Sequence, residues 1–217
     1  MERFGAKPEA PEISPPRLSS ELREKIRRSF DEFSHDEEHF PSTIDPRIQH
    51  VQIILKYFGP LGGKKVLDAG CGKGRFARVL LDRNPSAEIW GLDISEEMLR
   101  YVPAGIHTRA GSLTELPFPD ETFDFLYATE SLEHAVEIEK AVGELCRVLK
   151  PGGKLVIIDK NAEHWGKLET PEWEKWFDRK EIERYLGQHC HSVSSQFISY
   201  WEDVEPDGLF LAWLALK

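Results

Sequence analysis

Cysteine is scarce in this sequence: Cys71, Cys146 and Cys190 are the only three in 217 residues. They are too few and too scattered for a disulfide framework and lack paired metal-ligand spacing, so a reducing, cytoplasmic setting is expected. Long apolar runs are missing too. No stretch is long enough to cross a bilayer and no signal-like N-terminus precedes the chain's charged start, so stable membrane insertion is not expected. Positive charge is in deficit, with 28 Lys and Arg against 38 Asp and Glu and a net charge of −10. That balance disfavours an extended phosphate-binding surface, and nucleic acid is not an expected partner. What is present suffices for one core: 40% of residues are hydrophobic and 11% aromatic, enough for a single domain.

Residues 1–19 carry Pro8, Pro11, Pro15 and Pro16 among charges and are expected to form a disordered tail. The single domain is expected over 20–217. Across 20–33 the residues Leu22, Ile26, Phe30 and Phe33 recur at helical spacing, giving a charged helix with one apolar face. A second helix is expected over 46–58, stopped by Gly59-Pro60, and 20–60 together read as a helical lid. After Gly62-Gly63 short apolar strands alternate with amphipathic helices, the pattern of a parallel sheet covered on both faces. Strands are expected at 65–68, 88–93, 106–110, 123–129 and 154–159, with helices at 74–83, 95–101 and 136–149, the last closed by Pro151-Gly152-Gly153. Asp178 to Glu181 has the form of a capping box for a helix ending near Gly187. Strands near 192–200 and 208–216 finish the chain, which has no internal repeat.

The run VLDAGCGKGRF at 66–76 sets a glycine-rich turn between the first strand and its helix, where glycine lets the backbone approach a ligand closely. By itself this fits a plain tight turn, or a dinucleotide phosphate loop with Asp93 about 20 residues on. The spacing decides against the dinucleotide. Gly70, Gly72 and Gly74 form GxGxG, and Arg75-Phe76 stand where a pyrophosphate site would want its third glycine.

Four stretches follow in order: VLDAGCGKG, GLDISEEML, LPFPDETFDFLYA and ELCRVLKPGGKLVI. In these the chain resembles the class I methyltransferases that use S-adenosylmethionine (SAM), of the type 11 kind. The resemblance implies an α/β fold: a Rossmann-like, doubly wound sheet of seven strands, mostly parallel with the last antiparallel, and helices on both faces. It assigns 61–160 to the cofactor core and 161–217 to the substrate side and final strands. It also implies that Asp68 and the Gly70, Cys71 and Gly72 backbone lie by the methionine half of SAM, with Thr129 touching its end. Asp93 would accept both ribose hydroxyls, a task suited to a group with two acceptor oxygens and no donor. Ile94 and Leu113 would sandwich the adenine, with Met98 nearby. Many relatives place an aspartate at the adenine amino group where this chain reads Gly111-Ser112-Leu113, so Ser112 or water would serve there.

IDPRIQHV, GKKVLDAGCGKG and ESLEHAV together look like the ubiquinone-pathway O-methyltransferases, in which an arginine matching Arg47 contacts the cofactor carboxylate. A solvated surface arginine is the alternative reading. Glu130, Glu133 and His134 stand at i, i+3 and i+4, so one helical turn would put two carboxylates and an imidazole on one face. The same ExxEH arrangement occurs in those enzymes and in small-RNA 2′-O-methyltransferases, both of which use a divalent ion. This makes Glu130, Glu133 and His134, with His164 as a further ligand, a candidate site for Mg²⁺, Mn²⁺, Fe²⁺ or Zn²⁺. Alternatively the glutamates only line the pocket and His134 is a lone general base. The run from His35 to His39 reads as a solvated helix end.

The expected reaction is methyl transfer to a small-molecule acceptor, first a hydroxyl oxygen, with nitrogen or carbon as the alternative. A non-catalytic SAM-binding regulator or scaffold is the alternative of another class. Trp165, Trp173 and Trp176 supply flat surfaces that would stack on an acceptor, or else pack the lid onto the domain. The sequence does not decide the oligomeric state.

Overall fold

The computed structural model describes residues 17–201 and 203–217, so all but the last three residues of the expected tail lie outside the described residues. Helix α1 (Ser20–Glu32) starts where the Ser19 hydroxyl accepts from the Leu22 N–H at 3.1 Å. Helix α2 (Gln49–Phe58) begins three residues later than the spacing suggests and ends at Gly59 with φ +77°. The core then runs β1 (Lys65–Ala69), α3 (Arg75–Arg83), β2 (Glu88–Asp93), α4 (Glu96–Leu99), β3 (His107–Ala110), β4 (Phe123–Thr129), α5 (Ile138–Val148) and β5 (Leu149–Lys160). Helix α6 (Arg179–Gly187), β6 (Ser192–Ile198) and β7 (Phe210–Leu216) complete it.

The seven strands form one sheet in the order β3-β2-β1-β4-β5-β7-β6, with β7 antiparallel to both neighbours. This is the doubly wound α/β sheet the resemblance implies. Strand order reverses between β1 and β4, which opens a crevice at their carboxyl ends where such sheets bind ligands. Side chains alternate across the pleat. On β4 and β5, Leu126, Ala128, Leu155 and Ile157 join the core under α5 and α6, where Val142, Leu145, Ile182 and Leu186 also lie. Their neighbours Phe125, Tyr127, Val156 and Ile158 join the core under α2 and α3, with Val51, Ile54, Phe58, Phe76 and Leu80. Continuous apolar runs in both central strands are what a sheet covered on both faces requires.

Two recognised stretches are knit together by side chains. From α5, the Glu144 carboxylate accepts from the Leu116 N–H at 2.7 Å, while Arg147 donates to the carbonyls of Leu116 and Phe118 at 3.0 and 2.9 Å and to Asp120. The LPFPDETF loop is thereby clamped to the ELCRV helix. Several boundaries differ from expectation. Helix α4 is only four residues long, and α5 starts at Ile138 because Val136 is left-handed with φ +65°. Strand β5 already begins at Leu149, with the Pro151-Gly152-Gly153 turn as an interruption within it rather than a stop before it. At α6 only half the capping box forms. Asp178 accepts from Lys180 and Glu181, but the Glu181 carboxylate goes to Lys175 and Tyr185. No helix among the described residues is long and apolar enough to cross a membrane.

Candidate cofactor and acceptor site

The β1–α3 turn is shaped by its glycines. Gly70 has φ +81°, and a Cβ there would stand 2.4 Å from Ser131 Cβ, so only glycine fits. Its N–H and that of Cys71 both donate to the Leu92 carbonyl, at 2.8 and 2.9 Å, drawing the loop to the end of β2. There Asp93 accepts from Gly72 N–H at 2.8 Å through one oxygen and from Ser95 N–H at 2.9 Å through the other. Each oxygen keeps a lone pair. Burial pushes the Asp93 carboxyl pKa up, against the pull of the Ser95, Gly72 and Ile94 N–H groups.

One pocket opens here. Gly70, Cys71, Gly72, Asp93, Ile94, Met98, Ser112, Leu113 and Thr129 share its wall, as do Glu130 and His134. The Ser112 hydroxyl is engaged with Thr114 Oγ1 at 2.9 Å. Helix α1 and the segment after it form the roof, through Ile26, Phe30, His39 and Phe40. The roof is tied down by Asp31, which accepts from Ser95 Oγ at 2.6 Å, and by Glu37, which accepts from Lys73 Nζ at 2.7 Å. The charged run at 35–39 is therefore more than a solvated helix end: it anchors the roof to the glycine loop.

On the same pocket wall Arg75, the first residue of α3, donates to Glu130 Oε1 at 3.2 Å. Glu130 is left-handed, with φ +50°. Behind it lies His50, fully buried, its Nε2 at 3.9 Å from the same oxygen and both ring nitrogens without a hydrogen-bond partner. Burial lowers the His50 pKa to about 4.

Leu132–His134 is a 3-10 turn, and with Glu130 left-handed before it the expected helical face does not form. Glu130 turns up to the pocket wall, whereas Glu133 turns down against β5. There Lys160 Nζ lies 2.5 Å from Glu133 Oε1 and 3.2 Å from Glu174 Oε1. His134 sits above, with Nε2 3.5 Å from Glu133 Oε1, Nδ1 3.9 Å from Glu174 Oε2, and Phe30 edge-on at 5.1 Å. Burial, with help from the Lys160 charge, lowers the His134 pKa to about 3. The neighbouring carboxyls of Glu133 and Asp159 are both pushed up, first by burial, as expected for acids close together in a dry site.

Residues 67–157 match the methyltransferase domain family. That stretch is similar to methyltransferase domains. A malonyl-[acyl-carrier protein] O-methyltransferase from Methylococcus capsulatus is 34% identical over 109 residues, 48% of this chain but only 39% of that protein. A demethylmenaquinone methyltransferase from Listeria monocytogenes is 29% identical over 173 residues, covering 74% of this chain and 70% of that protein. Among solved structures, a SAM-dependent methyltransferase from Aquifex aeolicus superposes with a TM-score of 0.62 at 23% identity, over 88% of this chain and 97% of that one. At that identity the likeness is one of fold.

Several residues singled out from the sequence stand apart from the pocket. Arg47 is 78% exposed and pairs with Asp45 at 2.6 Å, so it does not reach the pocket; Arg75 is the arginine that does. Asp68 is buried with no hydrogen-bond partner for either oxygen, and burial raises its pKa to about 7. It does not join the pocket wall. His164 packs against Gly208 and Glu130 faces Arg75, so neither joins Glu133 and His134. Glu174, which no sequence pattern picked out, does join them: the ligand atoms of Glu133, His134 and Glu174 lie within 4.8 Å of one another. A divalent ion does not fit this set as it stands, because Lys160 already lies between the two carboxylates. The tryptophans also lie outside the pocket. Trp165 is 56% exposed, Trp176 is buried with its Nε1–H on Glu174, and Trp173 faces Lys25 of α1.

Proposed function

We propose that this chain transfers a methyl group from SAM to a small-molecule acceptor, with an acidic hydroxyl oxygen as the first reading. The observation that carries it is the pocket itself. A carboxylate with free lone pairs beside a glycine loop and an uncharged imidazole line the same pocket. Asp93 would hold the ribose hydroxyls, and Ile94, Met98 and Leu113 would flank the adenine. The Gly70–Gly72 backbone would run along the amino-acid half. Arg75 and Glu130 offer opposite charges to its carboxylate and ammonium, the role that Arg47 was expected to share.

SAM, when bound, supplies a methyl group already activated by a sulfonium, so the protein's tasks are alignment and proton management. Ile26, Phe30 and Phe40 give the pocket an apolar roof that would keep water from bound SAM. His134 is neutral at physiological pH and can accept the acceptor's hydrogen bond, but a pKa near 3 makes it a weak base. A weak base suits an acidic hydroxyl, such as a phenol, better than an alkyl alcohol. Nitrogen or carbon acceptors, which often need no strong base, are the second reading.

Calorimetry with S-adenosylhomocysteine tests the cofactor half of this reading. Asp93→Ala is expected to weaken binding about 100-fold, as for a lost pair of charge-assisted hydrogen bonds. Undiminished binding by that variant would remove the assignment. Transfer from methyl-labelled SAM to a panel of phenols tests the other half, with His134→Gln expected to lower kcat. Tight binding with no transfer to any phenol, amine or activated carbon would instead favour a regulatory SAM-binding protein.

A further inference from the structure

Lys160 ends β5, and Glu133 lies in the 3-10 turn after β4. Both backbones are pinned: Phe177 N–H donates to the Lys160 carbonyl at 3.0 Å and Lys175 N–H to the Glu133 carbonyl at 2.9 Å. The lysine stem is mostly buried and its ammonium sits over the Trp176 ring at 5.8 Å. Glu133 Oε1, the oxygen nearest His134 Nε2, is the very atom that Lys160 holds at 2.5 Å. Glu174 Oε1 is doubly engaged, by Lys160 at 3.2 Å and by the Trp176 indole at 2.7 Å. Two carboxylates and an imidazole within ligand range make a donor set that suits hard or borderline divalent ions. Yet a metal needs these same oxygens, and a second cation beside a buried ammonium would be strongly repelled.

We infer that the Lys160 ammonium is the resident cation of this acidic cluster, occupying the position a divalent ion would take and excluding one from it. Lys160 is then a positioning residue: it holds Glu133 and Glu174 under His134 as a metal would hold its ligands. The inference rests on the cluster's geometry and not on the methyl-transfer reading, so either can fail without the other.

The test is a calorimetric titration of Mn²⁺ at neutral pH into metal-stripped full-length protein, run on wild type, Lys160→Met and Lys160→Met combined with Glu174→Gln. Wild type is expected to show no saturable site, Lys160→Met to gain one equivalent bound at least about 100-fold more tightly, and the double variant to lose it again. A second variant, Lys160→Gln, repeats the gain should methionine disturb folding. Saturable one-to-one binding by wild type that Glu174→Gln abolishes would overturn the inference. So would folded Lys160→Met and Lys160→Gln proteins that bind no Mn²⁺. The wild-type arm decides on its own if neither variant folds.

Discussion

His50 is a buried imidazole with no hydrogen-bond partner, ringed by Phe76, Tyr200 and Phe210. Its pKa is about 4 in the fold, lowered by burial, against an unfolded value near 6.5. The unfolded chain therefore binds a proton at this residue that the folded one refuses between those two pH values. The sign follows: the cost is absent above about pH 6.5 and grows as pH falls to about 4. Replacing His50 by Leu removes it. The stability difference between His50→Leu and wild type should rise by about 1 kcal/mol for each pH unit lost over that window, measured by urea unfolding at several pH values. A difference that stays flat from pH 7.5 to 4.5 would mean that His50 is protonated, or solvated, in the folded protein. The comparison must be with wild type at each pH, because Asp68 and Asp159, raised to about 7 and about 6, pull the opposite way. Their folded-state protonation favours the fold as pH falls.

Among elements, the strands were the most legible because their signal is local. A run such as FDFLYAT packs on both faces wherever it sits in the sheet, and β4 occupies the expected 123–129. The segment at 130–136 was misread because nothing in a glutamate or a valine announces positive φ, and the left-handed Glu130 and Val136 break the helix that ExxEH suggested. Likewise Asp93 was legible from its place at a strand end, whereas Lys160 and Glu174 were not. Their meeting depends on how 161–178 folds back over β5, which no spacing encodes. The roof was half legible: the apolar stripe of α1 showed that it docks, but not that Glu37 would latch to Lys73 of the glycine loop. If that latch restrains the roof, Glu37→Ala should release S-adenosylhomocysteine faster. With Lys73 buried but Glu37 open to solvent, the pair is worth about a two- to fivefold change in off-rate, readable by stopped-flow displacement. Glu38→Ala, which changes an exposed neighbour, is the control, and equal off-rates in both variants would show that the roof is held elsewhere.

For the whole molecule, the apolar cores on the two faces of the sheet share its central strands, and the pocket draws on the glycine loop after β1, on β2 and β4, and on α1. Nothing that binds in that crevice can act on one half alone, so the protein should melt in one transition, and a ligand of the pocket should move the whole of it. At S-adenosylhomocysteine concentrations 100 times the dissociation constant, binding to the folded state alone adds about 2.7 kcal/mol. For a chain of this size each kcal/mol raises Tm by about 2–4 °C, so a rise of about 5–11 °C is expected by differential scanning calorimetry. NAD at the same concentration should give none, since Arg75-Phe76 stand where a pyrophosphate would need glycine. Protection by NAD without protection by S-adenosylhomocysteine would reverse the reading of the glycine loop. Two transitions, only one of them moved by ligand, would instead mean that the roof helix or the final hairpin of β6 and β7 unfolds independently of the sheet.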